Sequence, residues 1–321
     1  MKHKALPFSS TSSIRFGLSR TAIALGAALS LCAQSSAWAA PLFADDFNDG
    51  NDNGWNHYDP IAAAVGGGTF VHYSFPNGGY RIVADPSPLP AVAGPGRGAG
   101  LRSEIYTNFY IAVDVVGWDD SLVQAFGPLA RVTNPGPGST LGYAFTYQCA
   151  EHTISIAKIT NEEGNDLSGT SKAANLDPAK RYRFVFIGKG SALEGRVYEL
   201  PDTRNPIAIT TAGDATYTTG ITGLLVYNNP PPGTGGGDAT FDNYFSLDVE
   251  PPVLTITPNA FGDLEITWPI EVEGFQLQSA NAIPSSNWET IPGDFITTRP
   301  GSYVYTATPE PTNAFFRLVR P

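Results

Sequence analysis

The stretch Gly142-Tyr-Ala-Phe-Thr-Tyr-Gln-Cys149, followed three residues later by Thr153-Ile-Ser-Ile-Ala-Lys-Ile159, decides the fold class. Tyr143, Phe145, Tyr147 and Cys149 fall on every second position, so they share one face of an extended chain. A period of two is the mark of a β-strand and excludes a helix, whose apolar stripe returns every 3–4 residues. On that face Cys149 reads as a small buried hydrophobe and not as a nucleophile. Working outward, similar runs include Gly68-Thr-Phe-Val-His-Tyr-Ser-Phe75, Tyr80-Arg-Ile-Val-Ala84 after an Asn77-Gly78-Gly79 turn, and Leu101-Arg-Ser-Glu-Ile-Tyr106. Phe109-Tyr-Ile-Ala-Val-Asp-Val-Val116, Tyr182-Arg-Phe-Val-Phe-Ile187 and Ala239-Thr-Phe-Asp-Asn-Tyr-Phe-Ser-Leu247 continue the series. Gly94-Pro-Gly-Arg-Gly-Ala-Gly100 reads as a loop.

Composition agrees. The chain has 321 residues with 34 Gly and 27 Pro, and is 42% hydrophobic but 15% charged. That supply of apolar residues excludes wholesale disorder, and turn formers without a triplet period exclude collagen and long helical bundles. The expected architecture is all-β: one large two-sheet sandwich over residues 40–249, a Pro linker at 250–252, and a small sandwich over 253–321. In the last, Leu264-Glu-Ile-Thr-Trp268, Phe275-Gln-Leu-Gln-Ser279, Trp288 and Phe315-Phe-Arg-Leu318 alternate apolar with polar.

Residues 1–39 read as a secretory signal: Lys2, Lys4, Arg15 and Arg20, an apolar run over 21–33, then Ala37-Trp38-Ala39. The run is shorter than the roughly 20 residues that span a bilayer. Secretion is therefore expected, with cleavage after Ala39. The signal holds four of the 19 basic residues and none of the 30 acidic ones, which leaves 15 against 30 and a net charge of −15. Such a balance argues against nucleic acid and anionic membranes as partners. Only Cys149 remains after cleavage, so no internal disulfide is available.

Phe43-Ala-Asp-Asp-Phe47 with Gly54-Trp55, the run from Phe109, Gly220-Ile-Thr-Gly-Leu-Leu-Val-Tyr227 and Ala239-Thr-Phe-Asp-Asn-Tyr244 stand in order over most of residues 42–249. In this the segment resembles the concanavalin A-like (laminin G-like) jelly rolls of secreted bacterial proteins. The tail resembles their fibronectin type III-like C-terminal module. The resemblance implies a carbohydrate or other extracellular ligand. It also implies that a structural Ca²⁺, where one is bound, sits between the first and last strands of the jelly roll, at Asp46 and Asp242. Asp45-Asp-Phe-Asn-Asp-Gly-Asn-Asp-Asn-Gly54 is rich in the oxygen donors Ca²⁺ prefers. The other reading of that loop is a series of Asx turns in solvent.

Glycosidases of this fold display Glu-x-Asp-x-x-Glu on one strand, placing two carboxylates together; this chain lacks it. His57, His72 and His152 are scattered, with no zinc spacing, and no phosphate loop or nucleophile elbow is present. The balance leans toward non-catalytic glycan binding. A polysaccharide lyase or hydrolase and an adhesive surface protein are the alternatives. Trp118, Arg131, Tyr147, Gln148 and Arg183 are the candidate ligand-binding residues, as aromatic or polar side chains that a sugar site needs. Trp118 and Trp55 have a second reading, as plugs at the open end of the sandwich.

Overall fold

The computed structural model describes residues 43–229, 235–270, 274–283, 287–308 and 314–319. The expected signal segment 1–39 and residues 230–234 of the Pro/Gly-rich loop lie outside them. The chain divides into two compact units, one of them Ala40–Glu250 and the other containing Pro251–Pro321.

The first unit is a sandwich of two antiparallel sheets. Its strands in chain order are β1 (Phe43–Asp45), β2 (Asn56–Tyr58), β3 (Val71–Ser74), β4 (Tyr80–Ala84), β5 (Arg97–Leu101), β6 (Phe109–Trp118), β7 (Gln124–Thr133) and β8 (Leu141–Gln148). There follow β9 (Thr153–Thr160), β10 (Glu163–Asp166), β11 (Lys172–Ala173), β12 (Tyr182–Lys189), β13 (Ala192–Glu199), β14 (Ala208–Gly213), β15 (Ile221–Asn228) and β16 (Gly237–Leu247). The first sheet runs β14-β13-β12-β6-β16-β4-β3, with β1 added to β16; the second runs β10-β9-β8-β7-β15-β5-β2, with β11 on β9. The expected all-β jelly-roll sandwich is therefore what the chain forms. Its core lies between the sheets, where Tyr80, Val113, Phe126, Phe145, Tyr147, Phe184 and Phe241 are buried.

Two local expectations change. Residues 94–100 are not all loop, because Arg97–Leu101 is a strand paired on both sides, with β15 and β2. Its glycines are what let the two sheets approach. A β-carbon on Gly98 would stand 2.6 Å from Val71 Cγ2, and one on Gly100 would stand 2.9 Å from Tyr80. The expected strand 101–106 is correspondingly cut short. Arg102 is drawn inward over the Phe43 ring, 3.2 Å from its centroid, and pairs with Glu104. Only Tyr106 regains a bridge, to Gly220.

The second unit has strands β17 (Thr255–Pro258), β18 (Leu264–Pro269), β19 (Gln276–Ala280), β20 (Glu289–Thr290), β21 (Ile296–Arg299), β22 (Ser302–Ala307) and β23 (Phe315–Val319). They form a four-stranded sheet, β17-β18-β22-β21, and a three-stranded sheet, β20-β19-β23. Leu264, Ile266, Trp268, Leu277 and Phe316 bury against one another between them.

Candidate functional site

Strand alternation sends one half of each strand's side chains into the core and the other half outward. On the second sheet the outward set is unusual in its smallness. Ala99, Ala125, Gly127, Ala144 and Gly223 come from β5, β7, β8 and β15 and carry little or no side chain. They point away from the core yet are buried. Outward residues shielded from solvent without bulk of their own lie below larger neighbours on the same face, here Leu101, Leu129 and Ile159 with the half-buried Leu225 and Tyr227, so the small residues floor a shallow trough between them.

The register places the trough's polar groups. Tyr227 on β15 pairs with Ala125 on β7, which pairs with Gln148 on β8, which pairs with Thr153 on β9. Two residues along, Thr146 lies opposite Ser155. Gln148 Nε2 donates to Ser155 Oγ at 2.8 Å, and Ser155 Oγ donates to Asp166 Oδ1 at 2.9 Å. Asp166 is exposed, and among the described residues these neutral donors are the ones that reach it. Thr153 Oγ1 is buried without a hydrogen-bond partner among the described residues. The Tyr227 hydroxyl is engaged with the Thr146 hydroxyl; burial pushes it up to about 12, against the pull of Thr146 and with a further push from the Asp166 and Glu151 carboxylates.

A second carboxylate, Glu162, belongs to a latch at another part of this face. Its Oε1 accepts from Tyr58 Oη at 2.6 Å and Arg97 Nε at 3.0 Å, and its Oε2 from Gly138 N and Arg97 Nη2, both at 2.8 Å. With both oxygens engaged by strong donors, Glu162 is a structural tie joining β2, β5 and the 134–140 loop.

The five candidate ligand residues do not converge. Gln148 is the one that lines the trough. Tyr147, its neighbour, points into the core, where its hydroxyl meets His152 Nδ1 at 3.1 Å and burial pushes it up to about 12. Trp118 packs on the core edge against Phe126, Tyr147 and Tyr182, with its indole N–H donated to Asp120. Trp55 is buried among Phe43, Phe47, Tyr80 and Tyr244. Arg131 is 1% exposed and hands its guanidinium to three backbone carbonyls, Thr107, Tyr217 and Gly190. A register shift in β7, with Arg131 at φ 50°, turns it out of the simple alternation. Arg183 lies on the other sheet, bidentate to Asp114. Tyr227, Ser155, Asp166 and Thr146 were not singled out from the sequence; the alternation that marks Gln148 outward would have marked Thr146 and Ser155 too.

The expected Ca²⁺ ligands lie near one another, since Asp46 adds to the upward push that burial exerts on Asp242. Asp242 is already paired with Arg181 at 2.9 Å, and Asp46 Oδ1 accepts from the Asn48 amide. Asp45, Asp49 and Asn51 make the same two-residue Asx turns. Among the described residues no three His, Cys, Asp or Glu side chains gather to hold a metal. The donor set therefore fits Asx turns better than a preformed cation cage.

No family model matches the chain, and no curated protein matches it. Solved structures similar to it include the carbohydrate-binding module CBM66 from Bacillus subtilis, at 14% identity over 60% of this chain and 95% of that one, TM-score 0.44. A Bacillus licheniformis β-glucanase is 14% identical over 65% and 98%, TM-score 0.45. The lectin UEA-II complexed with galactose is 12% identical over 65% and 98%, TM-score 0.41. The likeness is one of fold.

Proposed function

We propose that the protein is an exported, non-catalytic glycan-binding protein whose ligand lies in the trough of the second sheet. The observation that supports it is the small-residue floor bordered by Tyr227 on one side and Gln148, Ser155 and Asp166 on the other. A pyranose ring offers an apolar face to an aromatic platform and a rim of hydroxyls to a few fixed polar groups. Absence of catalysis is favoured by Glu162, whose two oxygens are occupied by protein donors, and by the missing carboxylate triplet. The full chain should be retarded in gels cast with one or more polysaccharides and release no reducing ends or unsaturated products. Tyr227→Ala is expected to weaken retention about tenfold, the size of one good aromatic contact with its area. Product release would replace binding with catalysis, and no retention on any glycan would favour an adhesive role.

Export rests on the 1–39 segment, and an amino terminus at Ala40 in the secreted protein is the result to look for. We also read residues 253–321 as the fibronectin type III-like module, on its two sheets and the Trp268 core. The excised segment should unfold cooperatively by tryptophan fluorescence.

A further inference from the structure

We propose that the trough selects uncharged glycans and rejects uronate- or sulfate-bearing ones; this rests on the glycan-binding reading above. The argument is one of charge inventory on the outward face of the second sheet. Its arginine, Arg97, is committed to Glu162 and to the carbonyls of Ala93 and Pro95, so no donor faces the floor from it. Lys158 on β9 is turned to Asp214 and Thr216 instead. Asp166, by contrast, is an exposed carboxylate held, among the described residues, by a neutral amide and a neutral hydroxyl, with lone pairs to spare. Asp166 and Glu151 both bear on Tyr227, so the platform itself stands in a negative field.

Two consequences follow for a ligand. A sugar hydroxyl donates to Asp166 in a charge-assisted hydrogen bond. A sugar carboxylate or sulfate meets Asp166 as a like charge, with Arg97 and Lys158 engaged elsewhere and Lys172 paired opposite the inward-facing Ile154.

The experiment uses the full chain and matched polymers: a neutral polysaccharide that retains it, and the same polymer oxidised to carboxylates at its primary alcohols. Retention on the oxidised polymer should be about tenfold weaker at low ionic strength, a gap that narrows as salt screens the exposed Asp166. Asp166→Asn should shrink the gap to about threefold or less, because it removes the charge and keeps the shape. Equal or tighter retention on the oxidised polymer overturns the selectivity and leaves glycan binding standing. So does a gap that neither salt nor Asp166→Asn changes, since polymer shape and not charge would then explain it. Absence of retention on every polymer, neutral or acidic, overturns both.

Discussion

The two outward faces of the larger sandwich are made from the same alternating strands and finished in opposite ways. On the first sheet, bulk and charge fill the surface. Tyr110 packs edge-to-face on Phe245, Val185 is buried beside them, and Asp114 takes Arg183 bidentately with the Asn243 amide added at 3.0 Å. Arg196 is shared between Glu194 and Glu250, and Arg81 is held by Asp238. On the second sheet, alanines and glycines interleave with Leu101, Leu129 and Leu225, and the Thr153 hydroxyl has no partner among the described residues. A face whose polar groups satisfy one another has no affinity left to offer. The second face, with its small-residue strip and unpaired Thr153 hydroxyl, is the one on which the proposed ligand is placed.

The sharpest way to break this contrast is Asp114→Ala. It strands the Arg183 guanidinium and should cost about 3–5 kcal/mol in urea unfolding, as removal of one partner from a buried pair does. Glycan retention per folded molecule should not change. A cost under about 1 kcal/mol would mean that the first face is not held by its ion pairs.

Next in size is Asp214, where the two sheets are tied. Burial opposes its charge, but hydrogen bonds from Thr216, Tyr143 and Lys158 prevail and hold it well below the ordinary value of 3.8. A depressed carboxylate stabilises the fold above its unfolded pKa, and that stability is lost as pH falls through the folded value. Asp214→Asn should therefore cost about 1.5–3 kcal/mol at pH 7. The difference from the parent should shrink as pH drops below about 4. A difference independent of pH would assign the loss to packing.

Filling the trough is the corresponding attack on the second face. Ala125→Leu adds bulk at a floor position that is already buried, so retention on glycan per folded molecule should fall about tenfold and stability should drop by about 1–3 kcal/mol. Unchanged retention per folded molecule would place the ligand elsewhere. Thr153→Val is subtler. It removes an orphan hydroxyl at equal shape, so the apo protein should be unchanged or up to about 1 kcal/mol more stable, at some loss of retention.

The smallest expected effect is that of Ca²⁺ at Asp46 and Asp242, which stays a proposal. Arg181 already offsets Asp242, so millimolar calcium should raise the melting temperature by about 2–4 °C at most. Arg181→Ala should enlarge that shift if the ion and the guanidinium compete. Identical melting with calcium and with chelator in both proteins removes the ion from the account.

How much of this was legible depends on the range over which a signal acts. Tyr143, Phe145 and Tyr147 announce β8 from their own spacing, and Asn77-Gly78-Gly79 announces the turn before β4. The trough is not local. Its floor comes from strands that are neighbours only because β15 inserts between β7 and β5, and alanine and glycine give alternation no contrast to detect. Asp114 and Arg183 are opposed because β6 pairs with β12, a contact no spacing rule supplies. Arg131 misled for a different reason: one irregularity in β7 reverses the face on which a residue is counted.

The pairing of β1 with β16 has a mechanical consequence. Phe43 lies opposite Ser246 and Asp45 opposite Tyr244, so the two ends of the domain leave it side by side. Tension between anchors before residue 43 and after residue 247 would load these rungs one after another, peeling β1 away like a zipper and not shearing all rungs at once. Pulling on the domain through its ends should therefore show an early, low-force extension before the main rupture. A single high-force event would mean that the Arg102–Phe43 stack clamps the strand in place.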